Sequence, residues 1–203
     1  MKIYHVKGTR SVRVIWLCEE LEVPLTVETI PRFDAEFKAS ADWRKISPTG
    51  KVPVLQDRDL TIYESGAIVN YVLERYGPGG LIFEAGSDDA AMYHQWCWFA
   101  EATFARPLGD MSHHTRIKPP EERIPAVVED GRQRALLCLE AVDKHLENND
   151  YLVGNRFSAA DIMMGYTLVL AKNFGVMQDQ HSNASEYLDL LLTRPGFQKA
   201  LAA

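Results

Sequence analysis

Cysteine is scarce in this chain: Cys18, Cys97 and Cys138 are the three among 203 residues. An odd count with no C-x-x-C pair excludes a disulfide framework and a cysteine-rich zinc site, and it fits a reducing compartment. No run approaches the ~18 apolar residues of a membrane span. The opening Met1-Lys2-Ile3-Tyr4-His5-Val6 lacks the apolar core of a signal peptide, so a cytoplasmic location is expected. Basic charge is also in deficit, with 22 Lys and Arg against 28 Asp and Glu and a net charge of −6. With a pI near 5.5, nucleic acid and anionic membranes are poor partners, and an acidic ligand must find its positive charge locally. Metal-ligand spacing is missing too. His113 and His114 are adjacent, which on a helix is expected to point their rings apart, so no metal is expected. Internal repeats and low-complexity tracts are absent.

What the chain does have is enough apolar material, 46% of its residues, for one large domain or two small ones. The most informative stretch begins at Gly50-Lys51-Val52-Pro53-Val54-Leu55 and continues through Leu60-Thr61-Ile62-Tyr63 to Glu64-Ser65. Two short apolar runs around the polar turn Asp57-Arg58-Asp59 predict a hairpin. Pro53 cannot donate to a ladder, which places it at a strand start or edge where the preceding backbone can face a ligand. Glu64-Ser65 then opens an apolar-periodic helix through Ile68, Val69, Val72, Leu73 and Tyr76, with Ser65 as its expected N-cap. A helix start beside an open strand edge offers N–H groups to a carboxylate and a ladder to an extended chain, which suits a small acidic peptide.

Taken in order, Ile3 to Val6 reads as a strand broken by Lys7-Gly8-Thr9-Arg10. From Ser11 a helix follows with apolar residues on two sides: Val12, Ile15 and Trp16, then Val14, Leu17, Cys18 and Leu21, so it should be largely buried. Tyr4 and His5 alternate on the first strand, and one of them is expected on the solvent side of the sheet. Pro24 to Ile30 alternates as a second strand, parallel to the first. The stretch from Phe33 to Ile46 is poorly patterned and has room for a short helix. The resulting order is βαβαββα. Gly77-Pro78-Gly79-Gly80 ends it, and everything beyond reads as helix: Asp88 to about His114, Pro120 to Glu147, Ser158 to about Phe174, Ala184 to Leu192, and Pro195 to Leu201. The expected organisation is an α/β domain over 1–78, a linker over 79–86, and an all-helical domain over 87–203.

The run Ser47 to Leu55, followed at this spacing by Glu64-Ser65, resembles the glutathione-binding half of the soluble (cytosolic) glutathione S-transferases. Phe157-Ser158-Ala159-Ala160-Asp161-Ile162 and Arg194-Pro195-Gly196-Phe197 resemble that family's helical half, so the likeness spans essentially the whole chain. The implied fold is a thioredoxin-like βαβαββα domain followed by an all-α domain, with a cis Val52–Pro53 bond. The implied protein is a homodimeric glutathione S-transferase of the bacterial type, in a serine/threonine-loop variant, with glutathione as co-substrate and no metal.

The chemistry such an enzyme needs is a thiolate at neutral pH. Lowering a thiol from ~8.5 by about two units takes roughly 3 kcal/mol. One hydroxyl bonded to a charged sulfur supplies about 1.5–3 kcal/mol, and a helix N-terminus adds ~0.3–1. By resemblance the activating hydroxyl is Thr9, with Ser11 close behind; for Ser11 a plain helix N-cap is the alternative, and for Thr9 an ordinary loop role. Arg10 stands where one bacterial class carries cysteine, which removes a protein thiol and weakens a redox reading; it can instead stabilise a thiolate. Tyr4 lies too early, within the strand, to be the tyrosine other classes use. By the same resemblance, Val52 ahead of Pro53 pairs main chain to main chain with the cysteinyl part. Glu64 and Ser65 hold the γ-glutamyl end, and Lys51 or Lys38 meets the glycine carboxylate, with a solvated surface charge as the alternative for Lys51. Phe104, His113 and His114 are the candidate wall of a hydrophobic-substrate site, whereas Trp96 and Phe99 read as core or dimer packing. Ser158 with Asp161 resembles a capping box and reads as structural, and the cysteines read as buried small hydrophobes. Conjugation of glutathione to an apolar electrophile leads. A glutathione-dependent lyase or dehalogenase acting on an aromatic compound, and a non-catalytic dimerisation protein of this fold, are the rivals.

Overall fold

A computed structural model describes residues 1–31, 34–77 and 80–203. Phe33, where the poorly patterned stretch was taken to begin, and Pro78 and Gly79, at the expected domain boundary, lie outside the described residues. The chain divides into two compact units, Met1–Leu81 with Leu192–Ala203, and Ile82–Leu191.

In the first unit the elements run β1 (Lys2–His5), α1 (Ser11–Glu20), β2 (Thr26–Thr29), α2 (Ala35–Ala39), α3 (Ala41–Ile46), β3 (Val54–Asp57), β4 (Leu60–Tyr63) and α4 (Ser65–Tyr76). The sheet order is β2-β1-β3-β4. Ile3 lies opposite Val27 in the parallel pair and opposite Leu55 in the antiparallel one, and Leu55 in turn faces Ile62. This is the thioredoxin-like βαβαββα arrangement, with two short helices where one was expected. Asp34 caps the first through Phe37 N–H, and Ser40 caps the second through Trp43 N–H, so the polar residues that blurred the pattern are the helix punctuation.

The inner strands β1 and β3 are covered on both faces of the sheet, which corrects the expectation for β1. Tyr4 is 6% exposed and His5 0%. Tyr4 and Val6 pack with Ile30, Trp43 and Val54, the Tyr4 and Trp43 rings meeting edge-on at 5.3 Å. His5 turns to the opposite face, where its ring meets Ser11 of α1. Strand alternation sorts residues between faces but does not say whether either face is wet. The residues of α1 from Ser11 through Cys18 are all buried, as its two apolar sides required. β3 is an inner strand, so the main chain free of the ladder is the segment ahead of it, at Lys51–Pro53.

The last helix, α10 (Pro195–Ala202), groups with this unit, whereas the sequence reading had carried the helical domain through 203. It lies against α1: Trp16 and Phe197 stack with centroids 3.8 Å apart, and the Arg194 guanidinium donates to both oxygens of Glu20 at 2.9 and 2.6 Å. Gly196 permits that approach, since a Cβ there would sit 3.1 Å from Glu20 Oε1 and 3.2 Å from Glu19 Cβ. Burial would raise the Glu20 carboxyl, but Arg194 and the Trp16 indole outweigh it and hold its pKa low.

The second unit is helical among its described residues: α5 (Asp88–Trp98), α6 (Ala105–Ser112), α7 (Pro125–Leu146), α8 (Ala159–Asn173) and α9 (Ser182–Leu192). A wide π-type turn at Phe99–Phe104 joins α5 to α6, and another follows at His113–Ile117. Pro107 within α6 has no N–H for the Thr103 carbonyl four residues back, which instead accepts from the Cys138 thiol at 3.8 Å. α7 begins at Pro125, later than expected, after a short turn at Pro120–Glu122. The capping box at α8 is present and is the edge of a larger network. Asp161, 0% exposed, accepts from Ser158 N–H (2.7 Å), Ser158 O–H (3.0 Å), Leu152 N–H (3.0 Å) and Tyr187 O–H (2.6 Å). Burial raises its pKa while those donors pull it back.

Candidate functional site

Two helix starts carry most of the candidate residues. At the first, Gly8 (φ +71°) turns the chain from β1 into α1. Thr9 and Arg10 follow, both half-buried, and their carbonyls accept from Val12 and Arg13 N–H to begin the helix. The N-cap residue is Arg10, without a side-chain cap, and Ser11 is already helical. The Ser11 hydroxyl therefore does not cap the helix, which removes that reading. It bonds sideways, 2.7 Å from Thr9 Oγ1 and 2.7 Å from His5 Nδ1, while Thr9 O–H reaches the Val6 carbonyl at 2.7 Å. Ser11 and His5 are both 0% exposed. Burial lowers the His5 pKa; the main chain of Ala203 works against that shift and the Lys7 charge adds to it, so the imidazole is neutral at pH 7.

At the second start, Ser65 is the first helical residue of α4 and Glu64 occupies the N-cap position, which corrects the assignment of Ser65 as cap. Glu64 is exposed, makes no side-chain capping bond, and sits at φ +75°, ψ 112°. For a residue with a Cβ this costs about 1–3 kcal/mol and persists only where the surroundings impose it. Ser65 is 2% exposed, and its Oγ accepts at 3.0 Å from Nη1 of Arg13, itself 0% exposed. Arg13 thus ties the start of α4 to the start of α1. Sequence reasoning passed over it, although a cation inside a helix apolar on two sides is a signal, because such a charge is buried only with partners. His5, a polar residue in a central strand, was passed over as a functional group for want of a visible partner.

The third element is the chain ahead of β3. Ser47 Oγ donates to the Lys51 carbonyl at 2.8 Å, and the Val52–Pro53 bond is cis. Gly50, at φ +69°, has the Lys38 carbonyl so near that an added Cβ would lie 3.1 Å from it, so Lys38 and Lys51 spring from adjacent backbone. Lys51 is exposed, Lys38 and Val52 half-buried, and Pro53 buried. Thr9, Arg10, Ser11, Lys38, Lys51, Val52, Pro53, Glu64 and Ser65 all belong to the first unit.

Phe104, His113 and His114 belong to the second. Phe104 is 0% exposed, with its ring 6.5 Å from Phe99, so it can shape a ligand surface only through the side chains packed over it. His113 is exposed. His114 Nδ1 accepts from Ile124 N–H at 3.1 Å. The two rings meet edge-on at 5.6 Å rather than pointing apart, a consequence of the π-type turn that carries them. His114 also lines an open cleft of about 440 Å³ with Arg123, Pro125, Val128, Glu129 and Arg132, a lining of mixed charged and apolar side chains. Trp96 is buried against His145, with ring centroids 4.6 Å apart, whereas Trp98 is 68% exposed. Among the described residues no group of three or more His, Cys, Asp or Glu is placed to hold a metal, and no helix is long and apolar enough to cross a membrane.

Comparison with known proteins bears on this arrangement. The glutathione S-transferase N-terminal domain model matches residues 1–74, and a glutathione S-transferase C-terminal domain model matches residues 125–190. Glutathione S-transferase 3 of Schizosaccharomyces pombe is 30% identical over 208 residues, covering 95% of this chain and 83% of that protein. The glutathione S-transferase-like protein tpcF of Aspergillus fumigatus is 28% identical, covering 98% of this chain and 94% of its own. Among solved structures, the glutathione transferase URE2P8 from Phanerochaete chrysosporium, with oxidized glutathione, superposes with a TM-score of 0.87 at 24% identity over 98% of this chain and 92% of that one. A glutathione transferase homologue from Lodderomyces elongisporus, with two GSH per subunit, gives 0.89 at 19% identity over 99% and 97%. With both halves matched in order and a relative at this identity along nearly the whole chain, the protein belongs to the glutathione S-transferase family and is an enzyme of that class.

Proposed function

We propose that the protein conjugates glutathione to an electrophilic, mostly apolar small molecule, and that the first unit binds the tripeptide along the free main chain at Val52. The γ-glutamyl end lies at the start of α4, its ammonium at the Glu64 carboxylate and its carboxylate at the Ser65 N–H and hydroxyl. Lys51 and Lys38, from adjacent backbone, meet the glycine carboxylate. The sulfur points to the opening of α1, where Thr9 donates to it, with the helix N-terminus and Arg10 adding positive potential. The thiolate then attacks carbon, forming the C–S bond as the leaving group departs with its electron pair, or as a conjugated acceptor takes up a proton.

The observation that carries this reading is the unequal exposure of the two candidate hydroxyls. Thr9 is half-buried at the surface of the loop, whereas Ser11 is enclosed behind it with both sides of its oxygen engaged. Thr9 is therefore the hydroxyl that touches sulfur, and Ser11 stands behind it. Thr9→Ala should raise the pKa of bound glutathione by about one unit or more, since it removes a bond worth about 1.5–3 kcal/mol, and should slow conjugation of a chloronitroaromatic substrate about tenfold. If neither Thr9→Ala nor Ser11→Ala slows it, no hydroxyl activates the thiol here. The same thiolate would serve a lyase or dehalogenase, so a panel of aromatic halides and epoxides decides the electrophile. His113 and His114 are proposed at the second substrate, with Phe104 behind them.

The proposed assembly is a cytoplasmic homodimer. Trp98 and Leu137, at 68% and 66% exposure, are apolar surface of the kind that oligomers cover. Mass in solution tests it.

A further inference from the structure

His5 is fully buried, belongs to no part of the mechanism above, and touches Ser11. The three contacts in this corner form a line, Val6 carbonyl to Thr9 Oγ1, Thr9 Oγ1 to Ser11 Oγ, and Ser11 Oγ to His5 Nδ1, each 2.7 Å. Each hydroxyl has one proton, so the line has one consistent direction. Only Thr9 can donate to the carbonyl. Ser11 must then donate to Thr9, and the remaining contact must be donated by Nδ1–H. On that direction the imidazole carries its proton on Nδ1.

We propose that His5 and Ser11 are positioning residues for the reaction: a buried imidazole–hydroxyl relay that fixes and polarises the Thr9 hydroxyl for the sulfur of bound glutathione. The proposal rests on the reading of Thr9 as the hydroxyl that touches sulfur. When glutathione binds, the Thr9 proton turns from the Val6 carbonyl to the sulfur, and the two bonds behind it stay as they are. Thr9 oxygen keeps accepting from Ser11, so its own proton is more acidic and the bond to the thiolate is stronger than from an isolated threonine. Two features separate this arrangement from ordinary packing. Ser11 is at the start of a helix yet its hydroxyl caps nothing, and an imidazole buried in a central strand lies 2.7 Å from that hydroxyl.

The test uses the whole protein and glutathione, with the ultraviolet absorbance of the bound thiolate followed against pH. Members of a hydrogen-bond chain strengthen one another by about 10–30%, which for a bond to a charged sulfur amounts to about 0.1–0.7 pKa unit, or up to roughly fivefold less thiolate at neutral pH. His5→Leu and Ser11→Ala should each raise the bound thiol pKa by that amount and lower kcat to match, with the Kd for glutathione at about pH 5, where the thiol stays protonated, unchanged. His5→Asn, whose amide N–H reaches the place of Nδ1–H, should restore both. Nitrogen NMR of the unmodified protein should show a neutral His5 with its proton on Nδ1. If Thr9→Ala raises the thiol pKa while His5→Leu and Ser11→Ala do not, the relay is wrong and the activating hydroxyl stands. If Thr9→Ala also has no effect, the underlying reading fails and the relay with it. Should His5→Leu not fold, Ser11→Ala and the tautomer decide, and a proton found on Nε2 overturns the proposal.

Discussion

Replacing Glu64 by glycine should make the protein more stable and a weaker binder of glutathione. Glu64 holds φ +75° and ψ 112° at the start of α4, a conformation that costs a residue with a Cβ about 1–3 kcal/mol. Glycine, without a Cβ, is less strained at this positive φ but loses about 0.5–1 kcal/mol more chain entropy on folding. The side chain is exposed and makes no capping bond, so removing it costs the fold little. The net gain expected for Glu64→Gly is roughly 0.5–2 kcal/mol. Glu64→Ala separates the causes: it deletes the same carboxylate and keeps the Cβ, so it should leave stability near the starting value. Both variants should weaken glutathione about tenfold, the lower end of a charge-assisted bond, because Glu64 is open to solvent. Denaturant unfolding at constant slope, paired with a glutathione titration, reads the two effects separately. A glycine variant no more stable than the alanine variant would refute the strain; equal affinity in all three proteins would refute the carboxylate's role.

Asp161→Ala should cost about 3–5 kcal/mol, more than the ~0.5–2 of a lost cap, because four donors surround that carboxylate. Tyr187→Phe removes one of them and should cost about 1–2 kcal/mol in urea unfolding; an Asp161→Ala loss no larger than that of Tyr187→Phe would contradict the network. Cys18 is 2% exposed, and burial pushes its thiol up to about 12. Iodoacetamide at pH 8 should therefore leave Cys18 unlabelled in the native protein and label it after denaturation, as mass spectrometry of peptides will show. The linked stability has a definite sign: a thiol raised in the folded state ionises first in the unfolded chain, so stability falls as pH rises from 9 toward about 12. Cys18→Ala should flatten that part of the profile relative to the unmodified protein.

Much of the architecture was legible because period and punctuation are local. The doubly apolar α1 is buried, the hairpin turns between Asp57 and Leu60, and the helices of the second unit lie close to where apolar spacing put them. What was not legible depends on partners distant in the chain. Nothing near Arg194 says that it reaches Glu20, or that Phe197 stacks on Trp16. The patterning of α1 does not say that Arg13 finds Ser65. The proposed glutathione residues were readable as a motif, but the helical positions of Ser11 and Ser65 were not, because a serine at a helix start looks like a cap in sequence. Only backbone geometry shows that each lies one residue inside its helix, with the N-cap position held by Arg10 or Glu64.

That displacement has an energetic meaning. α2, α3, α5 and α8 each begin with an Asp or Ser side chain bonded to a free N–H of the first turn. α6 continues from a preceding turn of helix, and α7 and α10 begin with proline, which has one fewer N–H to satisfy. α1 and α4 have none of these devices, though serine stands within one residue of each cap position. α4 forgoes about 1 kcal/mol that a cap would supply and carries the strain of Glu64 besides, whereas at α1 the Val12 and Arg13 N–H groups turn back to the Thr9 and Arg10 carbonyls. A cap would occupy the N–H groups that a bound anion needs, so α4 keeps its start open where the proposed site places the γ-glutamyl carboxylate. The serines, moved one residue inward, organise what lies behind: Ser11 holds Thr9 against His5, and Ser65 receives the buried Arg13 that joins the two starts. Stability is given up at the start of α4 and recovered in the core beneath it, which is the distribution expected of the proposed site if it is to be rigid before its substrate arrives.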